Sequence, residues 1–256
     1  MNHIEQDFRA GFDSFQAMIE RYRSLSDDEK AEYAARHDER VRAEYAELQR
    51  LRRVELARSL SHVAERFADR TFANYDPARG NESMTSALAL AQLVADDYST
   101  GAWFYGDEGL GKTHLVAAIA HEYIERGIPC PYVSAVRLHD EIKQSYNGDG
   151  DVRNGKRDIL ASLAAMDALI IDDIDKPVPS QHFTERMYRL VNDRYEAKLP
   201  IIVTSNYDPA DIANAWEKAG GKRGRTTVDR LIEMCKKPGE PGRFVKLTGP
   251  SQRGLV

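Results

Sequence analysis

Cysteine and long apolar runs are the scarcest features of this chain. Two cysteines among 256 residues, Cys130 and Cys235, cannot form a disulfide framework or a four-ligand zinc site, so both are predicted to be structural thiols. The segment from Met1 to Ala10 is polar and has no signal-peptide core, and no apolar run approaches the roughly 20 residues of a membrane-spanning helix. We therefore expect a cytoplasmic protein with no membrane partner.

A net basic charge is also missing. The formal net charge of −5 argues against a surface coated with cations for non-specific DNA binding. It does not exclude a local basic channel, because arginine and lysine are concentrated in residues 36–58 and 218–230. Clusters of this kind fit a solvated helix face, a partner contact or a nucleic-acid contact.

Glycine and proline are absent from residues 28–68, where glutamate, arginine and alanine dominate. This composition favours helix, and the preceding Ser26-Asp27-Asp28-Glu29 is typical of a helix cap. Apolar residues recur at three- and four-residue steps with a phase shift near Arg52-Arg53, so two helices fit the pattern as well as one. The apolar stripe could pack on its own chain or on a helix of another protein. We predict a helical partner-binding region at 1–70 and a second domain at 71–256.

Strand and helix patterns alternate beyond a linker at residues 71–80. Helices are predicted at 81–97, 112–126, 136–147, 156–165 and 181–197, and strands at 102–105, 131–135, 168–172 and 200–204. Apolar strands that alternate with helices predict an α/β fold, a three-layer parallel sheet with helices on both faces.

The segment after the first of these strands reads Gly-x-x-x-x-Gly-Lys-Thr, the spacing of a phosphate-binding loop. Its glycines let backbone N–H groups approach phosphate oxygens, and the helix that follows directs its positive dipole end at the same anion. Lys112 would reach the β- and γ-phosphates, and the Thr113 hydroxyl would ligate Mg²⁺. The residues predicted to hold a nucleoside triphosphate here are Gly106, Asp107, Glu108, Gly109, Leu110, Gly111, Lys112, Thr113 and His114.

A buried-strand pattern at residues 168–171 ends in two carboxylates, Asp172 and Asp173. Phosphoryl transfer needs one acidic residue at such a strand end to hold the Mg²⁺ shell and a second to orient and deprotonate the attacking water. We assign Asp172 to the first role and Asp173 to the second. An apolar run followed by Asp-Asp is a weak signal alone, but it is strong about 60 residues after a phosphate-binding loop.

The next predicted strand ends in the polar tip Thr204-Ser205-Asn206. If this strand lies beside the one that carries Asp172, the Asn206 amide lies near the γ-phosphate and the attacking water. The same residues also fit a simple turn with a helix N-cap at Asp208.

These three motifs together resemble the DnaC/DnaI/IstB group of AAA+ ATPases. The most specific stretches are Lys-Thr-His-Leu at 112–115 and Asn-Asp-Arg-Tyr-Glu-Ala-Lys-Leu-Pro-Ile-Ile-Val-Thr-Ser-Asn at 192–206. The resemblance covers roughly residues 70 to 253. It implies a P-loop AAA+ fold with a reduced or absent lid, in agreement with the 26 residues that follow Arg230.

The resemblance also implies a role for each matching residue. Lys112 and Thr113 would belong to Walker A, Asp172 and Asp173 to Walker B, and Asn206 would be sensor 1. Arg230 is similar to the arginine finger that reaches the ATP of a neighbouring subunit, which implies a homo-oligomer with shared ATP sites. The remaining residues that the resemblance places at the nucleotide are Arg253, as a second arginine, and Phe72 and Tyr75, near the adenine.

Residues 135–166 resemble the DNA-binding helices of the group. Cations and one aromatic ring there form the combination that single-strand binders use, although interleaved carboxylates fit a solvated helix face equally well. The residues concerned are Arg137, Lys143, Tyr146, Lys156 and Arg157.

The resemblance implies an ATP- and Mg²⁺-dependent helicase loader in DNA replication, with the replicative helicase and single-stranded DNA as partners. The alternative is an IstB-like helper of a transposase, which acts on double-stranded DNA. Net acidity favours the loader, because wrapping a duplex needs many cations. A third class, a small-molecule or nucleotide kinase, is disfavoured by the Asn206 strand tip and by Arg230.

Overall fold

The computed structural model describes residues 20–60, 67–77, 81–146 and 159–251. The chain divides into two compact units, one that ends at Arg50 and one that begins at Leu51. No helix in the described ranges combines the length and the hydropathy that a membrane crossing needs.

Helix α1 runs from Asp27 to Leu60. It begins with a capping box: the Glu29 N–H donates to Ser26 Oγ over 3.3 Å, and the Ser26 N–H donates to the Glu29 carboxylate over 2.8 Å. The helix continues through the phase shift near Arg52-Arg53, so the single-helix alternative is the one that forms. In the first unit, the predicted stripe residues Val41, Tyr45 and Leu48 are 49%, 63% and 46% exposed.

The second unit is built on a five-stranded parallel sheet of order β2-β3-β4-β1-β5. Its strands are β1 (Ala102–Gly106), β2 (Tyr132–Ser134), β3 (Leu169–Asp172), β4 (Ile201–Ser205) and β5 (Phe244–Leu247). Its helices are α2 (Glu82–Asp96), α3 (Lys112–Glu125), α4 (Ala135–Tyr146), α5 (Ile159–Ala164), α6 (Gln181–Glu196) and α7 (Pro209–Met234).

Successive strand residues enter two separate apolar cores, which gives the predicted three layers. Trp103 and Ile171 pack on one face with α4, α6 and α7, and Phe104 and Ile170 pack on the other face with α2 and α3. Both cysteines are buried and unpaired, and burial raises the pKa of the Cys130 thiol to about 12. The thiols are therefore structural, as predicted.

The sequence pattern missed the edge strand β5. This strand pairs with β1 and follows α7 directly, and no helix occurs in the described residues from 235 to 251. Because β1 lies between β4 and β5, and β4 lies beside β3, the carboxyl ends of β1, β3 and β4 meet at one edge of the sheet. That edge carries the predicted phosphate loop, the two aspartates and Asn206.

The buried Arg243 fastens the start of β5 to the end of α2. It is 3% exposed, donates to the Asp97 carboxylate over 2.5 Å, and donates to the Asp97 and Thr100 carbonyl oxygens over 2.9 and 3.3 Å. Hydrogen bonds from Ser99, followed by those from Arg243, hold the pKa of Asp97 well below its usual value of 3.8.

We expect Asp97→Asn to lower the free energy of unfolding by about 1–3 kcal/mol at pH 7, because it leaves the buried Arg243 cation with only the Glu240 carboxylate, 4.0 Å away. A carboxylate with a depressed pKa stabilises the fold above its unfolded-state pKa, so the wild-type advantage should stay constant down to about pH 4 and shrink below it. Urea unfolding across pH measures this difference. Asp96→Asn is the control, since its 73% exposed carboxylate makes only a surface ion pair with Arg126. An equal loss in both variants would contradict the prediction.

Candidate functional site

The phosphate-binding loop connects β1 to α3 and has backbone shapes that favour glycine. Gly106 and Gly111 have φ angles of 133° and 85°. A Cβ at Gly106 would lie 2.1 Å from the Leu247 carbonyl oxygen, and one at Gly111 would lie 2.7 Å from the ring of Tyr75. Gly111 is also the N-cap of α3 and has no side chain with which to cap it. The first N–H groups of this helix can therefore serve an anion.

Lys112 connects the loop to the neighbouring strand. Its ammonium group donates to the carbonyl oxygens of Gly106 and Asp107 over 2.6 and 2.8 Å, and to Asn206 Oδ1 over 3.0 Å. The residue is 5% exposed, and this burial lowers the pKa of the ammonium group. The structure thus brings together the predicted phosphate-binding lysine and the predicted sensor asparagine.

Asp172, at the end of β3, accepts three hydroxyl hydrogen bonds. Thr113 Oγ1 lies 3.1 and 3.3 Å from its two oxygens, Thr204 Oγ1 donates over 2.5 Å, and the Tyr132 hydroxyl donates to Oδ2. A threonine hydroxyl beside a carboxylate is an all-oxygen donor set that suits Mg²⁺. The described residues contain no cluster of three or more acidic, histidine or cysteine side chains in a metal-binding arrangement. The pair of Thr113 and Asp172 would suit a cation whose other ligands are water and phosphate oxygens. A cation bound to this pair would neutralise phosphate charge.

Asp173 occupies an uncommon backbone conformation, with φ at 55°. Its N–H donates to Thr204 Oγ1 over 2.8 Å, so one threonine fixes both aspartates. Burial, together with the charges of Asp172 and Asp175, raises the pKa of Asp173 to about 6. A carboxylate with a raised pKa is a stronger proton acceptor, which is the property that water activation requires.

Asn206 lies where β4 ends and is held on both sides. Its amide oxygen accepts from Lys112, and its backbone N–H donates to Asp175 Oδ1 over 3.0 Å. Two residues further on, Asp208 accepts from the Asp211 N–H over 2.9 Å and caps α7. The predicted N-cap at Asp208 is therefore present, and Asn206 contacts Lys112 as well. The sensor role of Asn206 stays a prediction.

Three residues of this site were not predicted. Tyr132 at the start of β2 and Asp175 after β3 hold Asp172 and Asn206, and Lys176 pairs with Glu108 of the phosphate loop. Asp175 could have been predicted from its position two residues after Asp173 in the same acidic segment. The sequence around Tyr132 gives no indication that its hydroxyl contacts Asp172.

Tyr75 and His114 lie together beside the phosphate loop. Tyr75 is 6% exposed and meets the His114 ring edge to face, with 5.2 Å between ring centroids. Burial raises the pKa of Tyr75 to about 12 and lowers that of His114, whose Nε2 lies 2.9 Å from the Thr71 carbonyl oxygen. Phe72 packs against the apolar core to which Tyr75 belongs. The predicted adenine contact of Phe72 and Tyr75 stays a prediction.

Arg230 is not part of this cluster. It lies on α7, donates to Asn192 Oδ1, and stacks on Tyr188 and Tyr195 of α6. Its role in a neighbouring copy stays a prediction.

The remaining predicted contacts are only partly described. Arg137 and Lys143 lie on α4, where Arg137 pairs with Glu141 over 4.0 Å, and Tyr146 ends this helix. Lys156, Arg157 and Arg253 lie outside the described residues.

Comparison with known proteins decides the family. Residues 9–243 match the family model of IstB-like ATP binding proteins. The chain belongs to this family. The IstB-like chain is also similar to the solved structure of DnaI, with 20% identity and a TM-score of 0.61 over 75% of this chain and 95% of that one. The DnaC helicase loader matches with 21% identity and a TM-score of 0.58 over 72% and 100% of the two chains. These likenesses show the fold, and the chain is an AAA+ protein of the DnaC/IstB group.

Some curated relatives of the IstB-like chain are chromosomal replication initiator proteins. The DnaA protein of Lachnoclostridium phytofermentans is 30% identical over 162 residues, which are 62% of this chain and 34% of the relative. The DnaA protein of Thermoanaerobacter sp. is 32% identical over 58% of this chain and 33% of the relative. The chain therefore spans about a third of the length of these relatives.

Proposed function

We propose that this ATP-binding protein hydrolyses ATP and uses the cycle to load the replicative helicase onto single-stranded DNA. The observation that carries the ATPase proposal is the Lys112 ammonium group, which joins the loop carbonyl oxygens of Gly106 and Asp107 to the Asn206 amide. This contact, with the pairing of β3 and β4, supports the proposal of one site formed by the phosphate loop, the end of β4 and the aspartates that follow β3. In the proposed reaction, a water oxygen attacks the γ-phosphorus, the bond to the ADP oxygen breaks, and the water proton passes to Asp173.

The loader proposal is supported by fold. The matches to this chain cover nearly the whole length of the solved DnaI and DnaC helicase loader structures. A DnaA structure described as bound to AMPPCP and single-stranded DNA matches with 19% identity and a TM-score of 0.55, over 72% of this chain and 51% of that one. We therefore propose single-stranded DNA as the second partner, with Arg137 and Lys143 of α4 among its contacts.

A transposase helper is the second candidate, and the match to the IstB-like family favours it. The two functions differ in both partners. A loader binds a hexameric helicase and single strands, whereas the helper binds a transposase and duplex DNA. A kinase would instead transfer the γ-phosphate to an acceptor other than water.

Pull-down with the full-length chain separates these functions. We expect the chain, with ATP and Mg²⁺, to retain the purified replicative helicase of its source organism on a single-stranded circle and to bind duplex DNA more weakly. Retention of a transposase on duplex DNA, without the helicase, would establish the helper function instead. Failure to retain either partner would refute both.

A further inference from the structure

Arg230 lies over two aromatic rings of the neighbouring helix α6. Its guanidinium carbon lies 5.1 Å from the ring centre of Tyr188 and 5.3 Å from that of Tyr195, both within the range of cation–π attraction. Its Nη1 donates to Asn192 Oδ1. The Tyr195 ring is itself fixed, because its hydroxyl donates to the Glu233 carboxylate over 2.7 Å. We call Tyr188, Asn192 and Tyr195 the arginine holder.

Among the described residues, Arg230 differs from the other arginines of α7 because it has no carboxylate partner. The other arginines of α7 have carboxylate partners: Arg223 lies 3.4 Å from Glu185, and Arg225 lies 3.3 Å from Asp229. Across the described ranges, no carboxylate oxygen lies within 4.0 Å of Arg230. The holder therefore fixes the position of a cation, and the carboxylates of Glu196 and Glu233 bond to Asn192 and Tyr195 instead of to Arg230 itself. The guanidinium group is thus left to pair with an external anion.

We propose that Tyr188, Asn192 and Tyr195 are positioning residues that present Arg230 to the triphosphate of a neighbouring copy. This inference rests on the proposed ATPase function and adds a holder to the predicted arginine finger. An arginine side chain loses rotamer entropy when it is fixed. The holder fixes the side chain before assembly, so less of that cost falls in the transition state.

The holder has a kinetic signature. Tyr188→Leu combined with Tyr195→Leu should lower kcat about tenfold and change KM for ATP less than twofold, because the ATP-binding residues are untouched. Tyr188→Phe combined with Tyr195→Phe keeps both rings and should retain most of the activity. Arg223→Ala is the control on α7, since its side chain is 66% exposed and already paired. Full activity of the double leucine variant would overturn the inference.

A mixing experiment tests whether the holder acts across copies. A Lys112→Ala copy cannot bind ATP at its own phosphate loop, but it can supply Arg230 to a neighbouring copy. An Arg230→Ala copy binds ATP at an intact phosphate loop, where the arginine of the first copy can reach it. We expect the mixture to hydrolyse ATP well above the sum of the two variants alone. The double leucine substitution should lower this activity about tenfold when it is placed in the donor copy, and less than twofold when it is placed in the acceptor copy, which has no arginine to hold.

The failures are distinguishable. A wild-type chain that hydrolyses no ATP refutes the proposed function. A wild-type chain that is active, with a mixture that is no better than its parts, refutes the shared site and the inference together. An active mixture that the donor substitution leaves unchanged, or that the acceptor substitution lowers equally, refutes the holder alone.

Discussion

Lys112→Ala is expected to remove ATP binding and hydrolysis together. The ammonium group lies among the Gly106 and Asp107 carbonyl oxygens and Asn206 Oδ1, where a bound phosphate would take up its donors. Each hydrogen bond to a charged group contributes roughly 1.5–3 kcal/mol, so the loss of two corresponds to about 10²- to 10⁴-fold weaker binding. Titration with a fluorescent ATP analogue measures the affinity, and phosphate release measures the rate.

Lys246→Ala is the matched control for this variant. Lys246 is an exposed lysine on β5, in register with Tyr105 of β1, so it belongs to the same sheet but takes part in none of the three hydrogen bonds of the Lys112 ammonium group. We expect its ATP affinity to stay within about twofold of wild type. Thermal unfolding of both variants separates a damaged site from a damaged fold. Tight ATP binding by Lys112→Ala would contradict the assignment of the site.

Much of the site could be predicted because its signals are local. The phosphate loop, the aspartates after β3 and Asn206 after β4 each follow a strand that the sequence pattern identified. The carboxyl ends of parallel strands meet at one sheet edge, and for this reason residues distant in sequence could be assigned to one site before any contact was known. The strands were predictable because each is an apolar run bounded by turn residues.

The rest of the site depends on contacts that the sequence does not specify locally. Tyr132 reaches Asp172 only because β2 pairs with β3, and Lys176 reaches Glu108 only because β3 and β1 end at the same edge. The strand β5 was missed because its four residues, partly exposed, give a short and weak pattern. The arginine holder likewise needs the packing of α6 on α7, which no single helix pattern encodes.

Asp173→Asn is expected to lower kcat for ATP hydrolysis by about 10²- to 10⁴-fold and to leave ATP affinity within a few-fold of wild type. The substitution keeps the shape of the side chain and the hydrogen bond from the Asp173 N–H to Thr204, but it removes the proton acceptor. Single-turnover phosphate release and an ATP titration measure the two effects separately. Asp175→Asn is the comparison, because an amide oxygen can still accept from the Asn206 N–H, and a smaller loss is expected.

The two site variants should therefore have opposite effects on assembly if copies share their ATP sites. Lys112→Ala cannot bind ATP and, in the absence of a copy that binds ATP, should fail to assemble when ATP is added. Asp173→Asn should bind ATP, hydrolyse it slowly and accumulate the ATP-bound assembly, which light scattering detects as an increased mass. An Asp173→Asn chain that disassembles as fast as wild type would show that hydrolysis does not time the assembly. One that also loses ATP affinity would show that Asp173 serves binding, and its role as the proton acceptor would then be wrong.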